Sequence, residues 1–166
     1  MVIIVMGVAG SGKSTIGRVL ANRLSFPFFD ADDFHSETNI SKMSRGIPLT
    51  DEDRYPWLQT LSELMQSHET EGAILACSAL KEIYRSLLQQ GLKEPIIWIC
   101  LEGSKELLLE RMKNRKGHFM PEALLDSQLA ALEKPSYAWC FSIEKDPESI
   151  VDEIMKRIHN YKTDHR

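Results

Sequence analysis

Apolar and polar positions follow two alternating rhythms along this chain. Short, nearly unbroken apolar runs at residues 2–6, 26–29, 73–77, 96–101 and 139–143 suit strands buried on both faces of a parallel sheet. Between them apolar residues return at helical spacing, and each set is predicted to share one helix face: Ile16, Val19, Leu20 and Leu24; Leu58, Leu61, Leu64 and Met65; then Leu80, Ile83, Tyr84 and Leu87. A final helix has a legible start, with Asp146 as its cap and Pro147 at the first position, ahead of Ile150, Ile154 and Ile158. Strand followed by amphipathic helix, repeated, predicts an α/β domain whose parallel sheet is covered on both faces.

Two stretches break the rhythm: 35–53, polar and rich in turn residues, and 114–122, where basic residues precede Phe119, Met120 and Pro121. Excursions of this kind from a compact core are commonly lids or substrate-binding loops. A chain of 166 residues fits one domain, and 43% hydrophobic with 27% charged residues is the balance of a globular chain rather than a disordered one. The formal net charge of -4 gives no long-range attraction to a nucleic-acid backbone or an anionic membrane, so any phosphate site must be local. The opening apolar run is too short for a signal peptide, and no apolar stretch approaches the roughly 18 residues of a membrane span. Cys77, Cys100 and Cys140 lack C-x-x-C spacing and sit in or beside apolar runs, which reads as reduced core cysteines. A cytoplasmic protein without nucleic-acid or membrane partners is expected, with residues 162–166 frayed.

Gly7-Val8-Ala9-Gly10-Ser11-Gly12-Lys13-Ser14-Thr15 matches G-x-x-x-x-G-K-[ST] and lies between a buried strand and a helix, where the motif's mechanism requires it. Glycines let successive N–H groups face inward, and the helix N-terminus adds about half a positive charge at the same point. The expected ligand is the triphosphate of ATP, with Lys13 on the β- and γ-phosphates and the Ser14 hydroxyl on Mg²⁺. A guanine-specific switch would need N-K-x-D and D-x-x-G strings, and neither occurs. Small kinases are therefore favoured.

The second strand runs into Asp30-Ala31-Asp32-Asp33-Phe34-His35, at the carboxyl end where open α/β sheets bind ligands. Alternation in an extended chain would turn Asp30 and Asp32 to one side. Phosphoryl transfer uses one carboxylate near the metal and one that orients or deprotonates the attacking hydroxyl, which suits Asp30 for Mg²⁺ and Asp32 for the base. The competing structural role is to cap the next helix, which fits Asp33 best. His35 is read as a substrate contact or, alternatively, as a surface loop histidine.

Asp30-Ala31-Asp32 with His35, Asn39-Ile40-Ser41-Lys42-Met43, Gly46-Ile47-Pro48-Leu49-Thr50-Asp51-Glu52-Asp53-Arg54 and Trp57-Leu58 resemble the gluconokinase family of small P-loop kinases. Cys77-Ser78-Ala79-Leu80-Lys81, Tyr84-Arg85, residues 115–120 (Arg-Lys-Gly-His-Phe-Met) and Ser127-Gln128 continue the resemblance in the same order, from about residue 2 to 135. Ser36 stands where that family often has proline, a departure expected to loosen the loop without removing a chemical group. The resemblance implies a P-loop NTPase three-layer fold like that of shikimate kinase, with a five-stranded parallel sheet of order 2-3-1-4-5, helices on both faces and a mobile lid. It further implies ATP-dependent phosphorylation of D-gluconate at its 6-hydroxyl, and often a homodimer.

Gluconate carries one carboxylate and a row of hydroxyls, so its pocket calls for a cation and small polar groups. Within an acceptor segment at 32–58, Arg54 starts a helix after acidic residues, with Asp51 and Asp53 ordering the loop around it. Ser78 follows the third strand, while Lys81 and Arg85, spaced i, i+4, are predicted to share one face of the next helix. Arg54, Ser78, Lys81 and Arg85 are assigned to substrate or phosphate; the alternative for the cations is a solvated surface. In a lid at 111–122, Arg115 is the expected cation for the transferring group and Arg111 is placed against adenine, again with an exposed basic helix end as the alternative. Two other functions stay open on residue types alone: a kinase for another acceptor such as shikimate or a nucleoside monophosphate, and an ATP-binding regulator without transfer.

Overall fold

The computed structural model describes residues 1–115 and 122–165. Its elements are β1 (Val2–Met6), α1 (Lys13–Leu24), β2 (Phe28–Asp30), α2 (Glu37–Ser44), α3 (Asp51–Ser67), β3 (Ala73–Ala76), α4 (Glu82–Gln89), β4 (Ile97–Glu102), α5 (Lys105–Lys113), α6 (Glu122–Ala131), β5 (Trp139–Ser142) and α7 (Pro147–Asp164), with a 3-10 turn over Ala31–Phe34. The five strands are ordered β2-β3-β1-β4-β5 and every neighbouring pair is parallel, the order expected from the resemblance.

β1 is central and wholly buried because all five of its residues are apolar. Its pleat divides them: Ile3 and Val5 enter one core with Ile16, Leu20, Ile150, Ile154 and Ile158 of α1 and α7, while Val2, Ile4 and Met6 enter the other with Trp57, Leu58, Leu61 and Leu88 of α3 and α4. Two apolar layers on a parallel sheet account for the near-continuous apolar strands, and each fully buried Ile or Leu contributes about 1.5–3 kcal/mol. After β1 the chain moves outward to β2, then returns through β3 and crosses to β4. The order of connection reverses beside β1, which opens a crevice at the carboxyl ends of the strands.

Strand positions agree with the apolar runs to within a residue or two; the clearest shift is β2, which starts at Phe28 because Ser25, at φ 55°, closes α1 with a left-handed turn and Pro27 follows. Asp146 caps α7 as predicted, its side chain accepting from Ser149 N. Two readings are corrected. The 35–53 excursion contains the helix α2, whose N-cap is Ser36: its Oγ accepts from Asn39 N at 3.1 Å, so the departure from proline orders the segment instead of loosening it. On α4 the expected Leu80, Ile83, Tyr84, Leu87 face is replaced by Tyr84, Arg85 and Leu88; Leu80 precedes the helix and Ile83 is 47% exposed. A buried arginine on the inner face defeated the apolar count.

Candidate active site

The turn between β1 and α1 is built for close approach of an anion. Gly10 and Gly12 take φ of 79° and 87°, a region that side chains disfavour, and a Cβ on Gly10 would stand 2.9 Å from Met112 Cγ. Among the described residues nothing lies within 4 Å of a Cβ on Gly12. Ser11 N donates to Val8 O at 3.2 Å, curling the chain, and Ile16 N donates to Gly12 O at 2.9 Å to start α1. Lys13 Nζ turns back to Val8 O at 3.2 Å. Burial lowers the Lys13 pKa, opposed by Asp32, Cys77 and Asp30. Ser11 Oγ is buried with no hydrogen-bond partner among the described residues. Gly7, Val8 and Ala9 carry the loop out of β1, while Ser14 and exposed Thr15 lie in the first turn of α1.

Ser14 Oγ donates to Asp30 Oδ2 at 2.7 Å, joining α1 to the end of β2. Asp30 Oδ1 accepts from Asp32 N at 3.0 Å, and the chain turns into the 3-10 segment instead of staying extended. Asp30 and Asp32 therefore do not share one side in the way expected from strand alternation, yet both carboxylates act to raise the Lys13 pKa. Burial, then the Asp30 charge, raises the Asp32 pKa above the usual carboxylate value, with Lys13 and His35 opposing, although Asp32 keeps an exposed side. His35 stacks on Trp57 with centroids 4.2 Å apart, and Trp57 Nε1 donates to Ala31 O at 2.7 Å. Asn39 Nδ2 lies 3.4 Å from His35 Nδ1 and donates to Asp53 O at 2.9 Å. Burial lowers the His35 pKa, with Asp32 opposing. A neutral ring follows near pH 7.

Arg54 and Lys81 approach the Tyr84 ring at 5.5 and 5.7 Å. Tyr84 OH donates to Asp51 at 2.5 Å and Lys81 Nζ is 3.6 Å from the same carboxylate. Arg54 donates to Leu49 O at 2.6 Å, while Asp53 closes a capping box with Thr50 and pairs with Lys42, which orders the loop leading into Arg54; Asp51 instead binds across to Tyr84 and Lys81. Ser78 is half-buried, and its carbonyl accepts from Gly7 N at 3.4 Å, next to the phosphate loop.

Arg85 is corrected. Lys81 is the extended N-cap of α4 and does not share a face with it. Arg85 is 2% exposed and donates to Ala79 O and Glu133 O at 2.6 Å each, with Glu82 and Tyr137 completing the set. Its donors hold α4 to the 132–138 segment.

On the other side of the loop, Gly10, Gly12 and Thr15 line a cavity of ≈ 180 Å³ with Arg111, Arg115, Lys145 and Pro147. Arg111 donates to Ile143 O there, and Arg115 is exposed at the rim. The remainder of the expected lid, including His118, Phe119 and Met120, lies outside the described residues. Among metal-binding types, the Ser14 and Asp30 oxygens suit a hard cation. Cys100, Glu102 and Cys140 cluster within 4.8 Å, but Glu102 pairs with Lys134 and thiols are soft ligands.

Sequence reasoning left Asn39, Trp57 and Gln128 without roles and gave Tyr84 only a place on an apolar helix face, although each lies in a quoted string. The Oε1 of Gln128 accepts from Ala9 N, in the phosphate loop, at 2.7 Å. Lys145 had no sequence signal beyond its place before Pro147.

Sheet order, loop and crevice define a P-loop small-molecule kinase. The shikimate kinase family matches residues 9–161. A probable gluconokinase of Dictyostelium discoideum is 45% identical over 97% of this chain and 86% of its own length. The thermosensitive gluconokinase of Escherichia coli strain K12 is 49% identical over 80% of this chain and 71% of its own. The crystal structure of a gluconokinase from Sinorhizobium meliloti 1021 superposes with TM-score 0.88 at 39% identity, covering 99% of this chain and 97% of that one. The chain belongs to the gluconokinase family, on the shikimate kinase fold.

Proposed function

We propose that this protein transfers the terminal phosphoryl group of ATP to the 6-hydroxyl of D-gluconate, giving 6-phospho-D-gluconate and ADP. The observation that carries the reading is the meeting of the phosphate loop with the Ser14–Asp30 pair and the Asp32 carboxylate at one crevice, in a chain of this family. The loop N–H groups and Lys13 bind the phosphates. Asp32 orients the 6-hydroxyl and takes its proton as the new O–P bond forms and the bond to the ADP oxygen breaks. Its raised pKa makes it a stronger base than an ordinary carboxylate.

Arg54 and Lys81, fixed beside Tyr84, are assigned to the gluconate carboxylate, and His35 and Ser78 to its hydroxyls. Arg111 borders the adenine side and Arg115 supplies a cation to the transferring group as the lid closes. The Ser14 hydroxyl and Asp30 carboxylate would hold Mg²⁺, which supplies charge neutralisation between the phosphates. Arg85 is assigned to the frame.

Within one domain spanning 1–166, residues 32–58 form the acceptor side and 111–122 the lid. No helix among the described residues is long and apolar enough to cross a membrane. A cytoplasmic enzyme without nucleic-acid partners, forming a homodimer, completes the proposal; light scattering of the purified protein tests the dimer.

The test of the activity is Mg²⁺-dependent ADP release with D-gluconate, shikimate, other aldonic acids and nucleoside monophosphates offered separately, with the product identified by mass. Turnover with gluconate is expected. Turnover on another acceptor alone would overturn the substrate, and nucleotide binding without turnover on any acceptor would leave a regulator.

A further inference from the structure

Gln128 sits on α6, far along the chain from the phosphate loop, yet its Oε1 holds the N–H of Ala9 at 2.7 Å. No other side chain among the described residues accepts a hydrogen bond from an N–H of the 7–12 turn. Loop N–H groups of this kind are normally offered to phosphate oxygens, so a side chain bonded to one stands beside the phosphate path.

The position of Gln128 is fixed from several sides. Leu125, three residues earlier, is fully buried, and Leu129 packs on the same core, so residues 125, 128 and 129 form the inward face of α6, with Leu132 packing on that core just past its end. Gln128 is the polar member of that stripe. Lys105 ties the start of α6 to α5 through Glu122 and Asp126 at 3.0 and 2.8 Å. Beyond its end, Glu133 N donates to Leu80 O at 2.8 Å. Ala9 N–H is a donor, so the oxygen of the amide must face it and the Nε2 donors must lie on the other arm of the same planar group. No partner for Nε2 occurs among the described residues.

We propose that Gln128 is a phosphate-contacting residue: Oε1 sets the Ala9 peptide, while Nε2 donates to the terminal phosphoryl group of ATP and follows it during transfer. α6 thereby contributes a wall of the site immediately after the lid. The inference rests on the phosphoryl-transfer reading but not on the identity of the acceptor.

The two arms of the amide are separable by substitution. Gln128→Glu keeps an acceptor for Ala9 N–H but replaces the donor by a negative charge facing the phosphate; Gln128→Ala removes both. Binding of ADP and of a non-hydrolysable ATP analogue to the full chain is measured by calorimetry, with thermal melting as the control for folding. A hydrogen bond to a charged group predicts about tenfold weaker analogue binding in Gln128→Ala and a larger loss in Gln128→Glu, while ADP affinity changes by no more than about threefold. Turnover should fall in the same order.

If Gln128 merely braces the loop, the order reverses: Gln128→Glu, which keeps the brace, binds the analogue as the unmodified protein does and Gln128→Ala alone suffers. That order, or equal losses for ADP and the analogue, overturns the proposal. Because Gln128→Glu is nearly isosteric, the comparison survives a Gln128→Ala variant that fails to fold. Failure of the unmodified protein to bind either nucleotide would overturn the kinase reading itself.

Discussion

Asp32 shows how a single residue trades stability for chemistry. Its folded pKa is raised, first by burial and then by the Asp30 charge, with Lys13 opposing. For a carboxyl group this sign means that the ionised form is less comfortable in the folded protein than in the unfolded chain, so ionisation destabilises the fold above the unfolded pKa. The same shift strengthens the base. Asp32→Asn is therefore expected to lower acceptor-dependent kcat by about 10²- to 10⁴-fold while leaving nucleotide affinity intact and the melting temperature unchanged or raised. Stopped kinetics and a melting curve on the same preparation check both halves. In the unmodified enzyme the acidic limb of kcat/KM should fall above the pH at which a free aspartate titrates, because activity is lost as pH drops through a raised pKa. A variant that keeps acceptor-dependent turnover would remove Asp32 from the role of base.

At the scale of elements, the acceptor side hangs on one carboxylate. Asp53 accepts from Lys42 at 2.8 and 2.9 Å and from Thr50 N at 3.0 Å, and its carbonyl holds Asn39, so α2 is latched onto the start of α3. The Lys42 bond, followed by the Thr50 backbone bond, lowers the Asp53 pKa from the usual 3.8 to about 2. A depressed carboxyl pKa stabilises the fold above the unfolded value, and that contribution is lost as pH falls from about 4 towards about 2. Exposure to solvent keeps the gain modest. Asp53→Asn should raise the gluconate KM more than the ATP KM and speed amide exchange in α2, both measurable at neutral pH. Equal effects on the two substrates would argue against a latch confined to the acceptor side. α2 was illegible in the sequence because it is polar and exposed, with Asn39 as its buried residue, so periodicity had no apolar stripe to detect. Arg85 was misassigned for the complementary reason: its charge reads as surface, whereas four partners satisfy it inside the fold.

Over the whole molecule, the strands were legible because both faces of the sheet are covered, which forces apolar runs, and the loop was legible because its glycines serve a backbone geometry that few other sequences need. What the sequence could not place were contacts between distant segments, such as Ala9 with Gln128 or Tyr84 with Asp51. The phosphate loop joins β1, which feeds both core layers, to α1, which packs on α7. A ligand on that loop should therefore stabilise the cooperative unit rather than a surface flap. ADP at about 100 times its Kd adds roughly 2.7 kcal/mol by mass action. For a chain of this size that corresponds to a melting-temperature rise of roughly 5–11 °C. Lys13→Ala removes a cation whose burial already lowers its pKa, so its melting temperature without nucleotide should stay the same or rise while the ADP-dependent increase disappears. The pair of melting curves separates the two roles of Lys13. A full ADP-dependent increase in the variant would place the nucleotide elsewhere on the protein, and a large loss without nucleotide would mean that Lys13, through its bond to Val8 O, holds the loop itself together.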